Sequence, residues 1–462
     1  MCIELIKANP FFCLCIFVIQ DLVMTTNINK ILILIVAASF LASLSYSFYF
    51  RITPVVDAGT YDKIALNILA GYGYHEDINK TALFDHAITK VGPIYEYFLA
   101  SIYKIFGHYF EFVWVMQAIL HGFTAWLIFL ICKRIFKDGG ESIGLMAAAI
   151  IGFHPDLIEI SAMLMTETLY LFLIALFLWL FVLVYDTPKN LLYAGGFGLI
   201  TALVILARPP VALFLPVILF FYFKKGEYKQ GLFFGLMLVL VFTPWVTRNY
   251  KIYNQVIPTT LVGVHNLWVG NTEQYFGSQA NGGINPATVY SEQFGYSLFS
   301  KEAEKNVIAF VIAKPLIFMK ITMSRFIAYF SAIRPMGFWF YLHGVNQAIF
   351  VASSLFSILF LFVAGISGVL LAMKKNNTLF NYLIVCTVAA PLALIFAVVE
   401  SRYRFQIYPF FAIFGAYFLY YAYNSWALVK KPFFYAVSFI FVISAIDIVI
   451  SRSVILEHLR LF

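Results

Sequence analysis

The sequence has few charged residues for its length, and this shortage excludes a soluble globular protein. Asp, Glu, Lys and Arg make up only 12% of its 462 residues, whereas hydrophobic residues make up 62%. Soluble domains carry about 25% charged residues, because a surface exposed to water needs polar side chains to cover it. We therefore expect lipid to cover most of this surface, and we predict an all-α, polytopic transmembrane helical bundle.

Recognisable metal, redox and nucleotide motifs are also lacking. The five cysteines form no CxxC pair and no Cys/His pattern with metal-ligand spacing. Cys132 and Cys386 lie inside apolar runs, where a thiol packs as a small hydrophobic side chain. No P-loop, GxGxxG or Ser-His-Asp order stands out. The sequence names no certain cofactor, and a divalent cation is the one that we leave open, with its ligands unknown.

What the sequence has in abundance is apolar runs, eleven of which are candidate spans. A helix needs about 20 apolar residues to cross a bilayer, and several of these runs are shorter. Basic clusters follow the second, sixth, eighth and tenth runs, and all four are cytoplasmic if the chain begins on that side. The predicted spans are Ile31–Phe50, Phe112–Phe136, Ile143–Phe153, Thr168–Tyr185, Leu191–Ala207, Val211–Phe223, Gly231–Val246, Ala348–Met373, Leu379–Val399, Phe405–Tyr423 and Phe433–Ile450.

The spans divide the chain into four predicted parts. Met24 is a candidate for the natural start, because the apolar patch before it is too short to span a bilayer. The parts are an N-terminal cytoplasmic or interfacial segment at residues 1–29, a transmembrane catalytic core at 30–250 with a first outer loop at 51–111, an outer segment with interfacial helices at 251–347 between spans 7 and 8, and C-terminal transmembrane helices at 348–462.

Both large outer segments contain amphipathic patterns. In the first, apolar residues three and four positions apart run from Tyr61 to Leu69 and again from Tyr95 to Phe106, and glycines follow both stretches. We predict two short helices that lie in the outer interface. A third candidate, at Pro315–Ser331, contains two basic residues, which favours the interface over a span.

Acidic and basic side chains gather near the outer ends of the predicted spans. Asp57 follows the first span, Glu167 opens the fourth, and Arg248 and Arg402 lie at later ends. A carboxylate there can act as a general base, and a guanidinium group can hold a phosphate through two hydrogen bonds. Each also has a structural interpretation, since an acid in the first turn of a helix stabilises the helix dipole and an arginine at headgroup depth anchors in lipid.

A series of short motifs carries most of these residues. They occur in a fixed order, at positions that the topology assigns to one face of the membrane. The motifs are Asp57-Ala-Gly-Thr-Tyr-Asp62, Gly71-Tyr-Gly-Tyr74, Lys90-Val-Gly-Pro-Ile-Tyr95, Thr166-Glu167, Ala207-Arg-Pro-Pro210, Pro244-Trp-Val-Thr-Arg-Asn-Tyr250, Asn266-Leu-Trp-Val-Gly-Asn271 and Arg402-Tyr-Arg-Phe405.

This series, from about residue 30 to residue 423, resembles the polyprenyl-phosphate-dependent membrane glycosyltransferases of the C-type superfamily. The resemblance is to the branch with protein mannosyltransferase-like and aminoarabinose transferase-like enzymes. It implies transfer of a sugar from a polyprenyl-phosphate donor to a hydroxyl of a glycan, lipid or protein, with inversion, on the outer face of the cell membrane. The partners would thus be lipids and these substrates, and not nucleic acid.

The resemblance also implies roles for individual residues. The chain departs from the family's pattern at Ala58, where a second acid is common, and after Lys90, where Val-Gly-Pro replaces Pro-Pro; both put a family metal site in question. The implied roles are catalytic base for Asp57, donor-phosphate binding for Lys90, Arg208, Arg248, Arg402 and Arg404, and acceptor or sugar binding for Glu167, Asp62 and Asn271.

Two other classes of function fit a polytopic basic protein. A transporter or lipid flippase would also have many spans, but such proteins usually contain internal repeats and helix breaks near mid-membrane, and we see no repeat here. A receptor or assembly scaffold would not need acids and arginines that converge on one face. The sugar, the acceptor and the oligomeric state depend on pocket shape and surface, which the pattern of residues does not reveal.

The predicted topology can be tested by cysteine labelling. In a variant whose own five cysteines are replaced by alanine, a cysteine at Asn79 should react with an impermeant thiol reagent in intact cells, because it lies in the outer segment. A cysteine at Lys225 should react only after the membrane is permeabilised. Labelling of the Lys225 position in intact cells would overturn the topology.

Overall fold

The computed structural model describes residues 27–272, 275–276, 279–280, 286–337 and 341–452. The predicted N-terminal segment, with Met24, therefore lies outside the described residues except for 27–29. The first helix begins at Ile28. Asn27 caps it, because its side chain accepts a hydrogen bond from the backbone N–H of Asn29.

The described part of the chain is an all-α bundle, which confirms the predicted fold class. Its strands are a two-residue antiparallel pair, β1 (Tyr275–Phe276) and β2 (Gln279–Ala280). The helices are α1 (Ile28–Phe50), α2 (Asp57–Leu69), α3 (Ile94–Phe106), α4 (Phe110–Ile135), α5 (Gly140–Gly152), α6 (Pro155–Ser161), α7 (Thr166–Asp186), α8 (Leu191–Ala207), α9 (Leu215–Lys225), α10 (Tyr228–Tyr253), α11 (Val262–Gly270), α12 (Pro286–Phe294), α13 (Phe299–Ala313), α14 (Pro315–Phe330), α15 (Val345–Ala372), α16 (Thr378–Ile395), α17 (Tyr408–Asn424) and α18 (Trp426–Ile450), with 3₁₀ segments at His86–Thr89, Pro209–Phe214 and Ser401–Ile407.

Seven of these helices are long and apolar enough to cross a membrane, and nine spans result if two bent pairs count as one span each. The chain is thus a multi-pass membrane protein, but the predicted number of eleven spans is not confirmed. Helices α8, α9 and α17 have only 17, 11 and 17 residues, short of the roughly 20 that a span needs. The bent pairs are α5 with α6, at 55°, and α13 with α14, at 106°. The interfacial position of α14 stays a prediction.

The bundle is organised around two central helices, α4 and α17. Helix α4 packs against α1, α5 and α7, and α17 packs against α5, α15 and α18. Glycine permits the closest of these approaches: a Cβ on Gly368 of α15 would overlap the backbone carbonyl of Phe414 on α17. Without a hydrophobic force between helices in lipid, such close backbone packing supplies much of their attraction.

The two amphipathic helices predicted in the first outer segment are present as α2 and α3. They pack against each other, and the buried rings of Tyr61 and Tyr95 meet edge to face at 5.6 Å. Gly71 and Gly107, with φ of +87° and +82°, follow their C-terminal ends. This pair places the first residue of α2, Asp57, beside the loop that leads into α3.

Candidate active site

Asp57 lies at the start of α2 and pairs with two cations from distant parts of the chain. Arg402 donates from Nη2 to Asp57 Oδ2 at 2.7 Å, and Lys90 Nζ lies 3.8 Å from Oδ1. The residue before it, Val56, has φ +51°, a strained conformation for a β-branched side chain. The short link from α1 thus holds α2, and with it the carboxylate, in a constrained position.

A second buried acid joins the same group. Glu167, in the first turn of α7, is 1% exposed, and its Oε1 lies 2.8 Å from Nη1 of Arg208 and 4.0 Å from Nε of Arg402. Arg402 therefore bridges the two acids. We call Asp57, Lys90, Glu167, Arg208 and Arg402 the outer ion cluster; it contains three cations and two carboxylates, and guanidinium and ammonium groups of this kind can also hold an anionic ligand.

Two aromatic rings and a third acid contact the outer ion cluster. The Arg208 guanidinium lies between the rings of Tyr170 and Tyr403, at 5.5 and 5.2 Å, and such contacts stabilise a cation removed from water. Glu400, at the exposed rim, accepts from Arg402 Nε at 2.9 Å. Sequence reasoning missed both tyrosines, although Tyr170 follows Glu167 by one helical turn and Tyr403 adjoins Arg402.

The cations keep Asp57 ionised. Burial raises the pKa of this carboxyl, but the attraction and hydrogen bond of Arg402, followed by Lys90 and Arg208, outweigh it and hold the pKa below its usual range. At neutral pH the group is therefore a carboxylate that can accept a proton. Its contribution to stability is present above the pKa of the unfolded chain and is lost as pH falls through the folded value.

Arg248 lies in a separate aromatic site near the C-terminal end of α10. It donates to the backbone carbonyl of Tyr74 at 3.0 Å, and it packs over the rings of Tyr74, Trp245 and Tyr253. Its described contacts do not reach Asp57 directly. The structure thus places Arg248 beside the loop that follows α2, and not within the outer ion cluster.

Arg404 is not brought to the cluster, although it is two residues from Arg402. Its guanidinium is 1% exposed and donates to the backbone carbonyls of Ser331, Ser401 and Arg334. These hydrogen bonds anchor the 3₁₀ segment and satisfy backbone carbonyls. Arg404 thus lies outside the outer ion cluster, and its role in phosphate binding stays a prediction.

Asn271 and Asp62 also lie apart from the cluster. Asn271 is buried, donates to the backbone carbonyl of Phe396 and accepts from Arg325, so that it ties α11 to the C-terminal end of α16. Asp62 faces another side of α2, where it accepts from the Tyr103 hydroxyl at 2.6 Å. Both side chains have structural contacts here, and their implied contact with acceptor or sugar stays a prediction.

A divalent cation does not fit the outer ion cluster as it stands. Both carboxylates already pair with lysine or arginine, and a metal ion would compete with those positive charges. In the described part of the chain, no three or more His, Cys, Asp or Glu side chains are grouped so that they could hold a metal ion.

The fold and the cluster define a polytopic membrane protein in which buried carboxylates and cations from distant parts of the chain are paired. Residues 86–247 match the family described as dolichyl-phosphate-mannose-protein mannosyltransferase, which confirms the resemblance to membrane glycosyltransferases that use polyprenyl phosphate. This match supports a glycosyltransferase. It includes Lys90, Glu167 and Arg208 of the cluster, whereas Asp57 and Arg402 lie outside it.

The chain is also similar to solved structures of an oligosaccharyltransferase from Archaeoglobus fulgidus. The apo form is 13% identical with a TM-score of 0.49, and the alignment covers 92% of this chain and 56% of that one. A complex of that enzyme with an inhibitory peptide and a dolichol-phosphate is 14% identical, with coverages of 90% and 55% and a TM-score of 0.44. This chain thus spans little more than half the length of those structures. No curated protein gives a significant match.

The buried pair between Glu167 and Arg208 should be important for stability. Glu167→Gln leaves a guanidinium in apolar surroundings without its counter-charge, and we expect a loss of about 3–5 kcal/mol in the free energy of unfolding. The matched control is Glu141→Gln, which breaks an exposed pair with Lys133 and should cost less than about 1 kcal/mol. Thermal unfolding in detergent compares them, and equal losses would contradict the importance of the buried pair.

Proposed function

We propose that this chain transfers a sugar from a polyprenyl-phosphate donor to an acceptor hydroxyl on the outer face of the cell membrane, with inversion and with Asp57 as the general base. The observation that carries the proposal is the outer ion cluster, in which the ionised carboxylate of Asp57 pairs with Lys90 and Arg402, next to the pair of Glu167 with Arg208. The family match supports the donor class. The acceptor, a glycan, lipid or protein, is chosen by surfaces that the cluster itself does not define.

The cations suit the leaving group. As the bond between the anomeric carbon and the phosphate oxygen breaks, its electron pair passes to the phosphate, which gains negative charge. Lys90, Arg402 and Arg208 are held before the reaction by their pairs with Asp57 and Glu167. Cations placed in advance near such charge lower the barrier by roughly 3 kcal/mol for each well-placed donor.

The same pairs couple donor binding to the strength of the base. In the free site, Arg402 and Lys90 lower the pKa of Asp57, which makes the carboxylate a weak proton acceptor. A bound phosphate would share those two cations and weaken their hold on Asp57, so that its pKa rises when the donor is in place. The acceptor hydroxyl then attacks the anomeric carbon while Asp57 takes its proton.

An apolar cavity supports a lipid-linked donor. It has a volume of about 780 Å³ and is lined by residues of α14 to α18, among them the exposed side chains of Met319, Leu392 and Tyr435. Ile407 of the 3₁₀ segment that carries Arg402 also lines it. A polyprenyl chain in this cavity would lie in an apolar environment, as its hydrocarbon requires, with its phosphate directed toward that segment.

A transporter or lipid flippase remains the second candidate, because it too would bind a lipid phosphate. It does not need a proton acceptor beside the anion site, and it must let the ligand reach the other face. Transfer assays therefore separate the two candidates.

Asp57→Asn tests the base. Asparagine keeps the shape of the side chain and caps a helix about as well as aspartate, but it does not take up a proton at neutral pH. We expect a folded variant that binds the lipid donor and transfers sugar about 10²–10⁴-fold more slowly. The measurement is sugar transfer from purified donor to acceptor extract, together with thermal unfolding of both proteins. Near-normal transfer would remove Asp57 as the base and leave Glu167 as the next candidate.

Lys90→Met tests the donor phosphate. Methionine keeps most of the apolar stem of lysine but loses the charge, so kcat/KM for the polyprenyl-phosphate donor should fall by roughly ten- to a hundred-fold, as expected for one charge-assisted hydrogen bond. The matched control is Lys104→Met on the exposed side of α3, which should leave kcat/KM unchanged. If Lys90→Met behaves like the control, this lysine does not contact the phosphate.

A further inference from the structure

Glu96 is a fully buried carboxyl group that the proposed reaction does not use. It lies in the first turn of α3 with 0% exposure. Its Oε1 accepts a hydrogen bond from the Tyr74 hydroxyl at 2.9 Å, whereas no hydrogen bond to Oε2 is found among the described residues. A buried carboxyl oxygen that accepts no hydrogen bond is costly, and the packing of Glu96 indicates what this group supports.

Glu96 is connected to Arg248 through Tyr74. Tyr74 is almost completely buried and is held from both ends: its hydroxyl donates to Glu96, and its backbone carbonyl accepts from Arg248 Nη2 at 3.0 Å. Its ring also packs against the guanidinium, at 5.6 Å, and against Trp245. The Glu96 carboxyl therefore helps to determine where the Tyr74 carbonyl, and with it Arg248, can lie.

Glu96 also contacts the loop that carries Lys90, at Gly92. The Glu96 carboxyl lies directly on the backbone of Gly92, since a Cβ at this position would overlap both carboxyl oxygens. Gly92 is two residues after Lys90, in the loop that brings the lysine within 3.8 Å of Asp57. One side chain thus supports both the loop that carries Lys90 and the loop that holds Arg248.

The surroundings of Glu96 favour its neutral form. Burial raises the pKa of this carboxyl to about 8, and the hydrogen bonds from Tyr74 and the backbone lower it only in part. The titratable groups that face it are Tyr74, Tyr61 from α2 and Tyr95 from α3, all neutral at pH 7. It forms no ion pair among the described residues, and Arg248 lies behind Tyr74.

We propose that Glu96 is a positioning residue for the transfer reaction, which in its neutral form fixes the Gly92 turn that carries Lys90 and the Tyr74 carbonyl that holds Arg248. This rests on the proposed function, because that function assigns Lys90 to the donor phosphate. Loss of the Glu96 proton would place a negative charge, without a partner, behind the loop that carries Lys90 and the loop that holds Arg248, and would pull Lys90 away from the phosphate. Donor binding should therefore weaken in alkaline solution.

Glu96→Gln separates this role from simple packing. Glutamine reproduces the shape of the neutral acid and can accept from Tyr74, but it does not ionise. At pH 7 the variant should have the donor KM of the wild type. At pH 9, where about a tenth of a group with pKa 8 is protonated, the donor KM of the wild type should rise by roughly ten-fold while that of Glu96→Gln stays level.

Stability provides a second readout. The folded pKa of Glu96 lies above the value of the unfolded chain, so the wild type loses stability as pH rises from about 4.5 to about 8. Glu96→Gln should not have this loss. The control is Glu304→Gln on an exposed side of α13, which should follow the wild type in both donor KM and thermal unfolding.

The outcomes are distinct. Superimposed pH profiles of donor KM for wild type and Glu96→Gln would overturn the positioning role, as would a wild-type KM in Glu96→Ala if that variant folds. Binding of polyprenyl phosphate, followed by its thermal stabilisation of the protein, is measured in parallel across the same pH range. If the wild type binds this lipid but transfers no sugar, the proposed function is wrong, and the effect of Glu96→Gln is still measured on lipid binding. If the wild type does not bind the lipid, the proposed function and the role of Glu96 are both wrong.

Discussion

The site depends on the ability of Arg402 to pair with two acids at once. Its guanidinium donates to Asp57 and lies 4.0 Å from Glu167, while Arg208 holds Glu167 from the other side. Buried charges are tolerated only when each has a partner, so these side chains constrain one another. Because Asp57 begins α2, Glu167 lies in the first turn of α7 and Arg402 lies between α16 and α17, the same contacts join helices from both halves of the chain at one end of the bundle.

In the proposed reaction, donor binding and chemistry would depend on the same set of cations. In the free protein the cations pair with carboxylates, and in the proposed complex they would pair with phosphate, which leaves the carboxylate more basic when a substrate is present. Glu96 would add a second level of control, since it supports the backbone that carries Lys90 and the carbonyl that holds Arg248. The reactive carboxylate and the supporting acid differ in their surroundings: cations lower the pKa of Asp57, and burial raises that of Glu96.

Sequence reasoning found the local elements well. Helices α2 and α3 follow from apolar spacing and terminal glycines, and each predicted span corresponds to a helix. Of these eleven helices, seven are long and apolar enough to cross a membrane, or eight if α5 and α6 form one bent span. It predicted less well where each helix lies relative to the membrane, because hydropathy does not reveal bends such as the 55° break between α5 and α6. Arg402 and Arg404 show the same limit within one motif. They have the same chemistry and nearly the same sequence position, yet one faces Asp57 and the other faces backbone carbonyls.

A helical membrane protein, with acids and arginines near the ends of its spans, is predictable from composition and residue order, because shortage of charge and apolar periodicity are properties of the chain alone. Which of those groups meet depends on how the helices pack. Asp57, Lys90, Glu167, Arg208 and Arg402 come together only after α2, α7 and the 3₁₀ segment before α17 have packed. The burial of Glu96 likewise depends on how the helices and loops pack. The pairing of charged groups and their removal from water depend on distances between residues that are far apart in the sequence. The residue type at a single position does not give those distances.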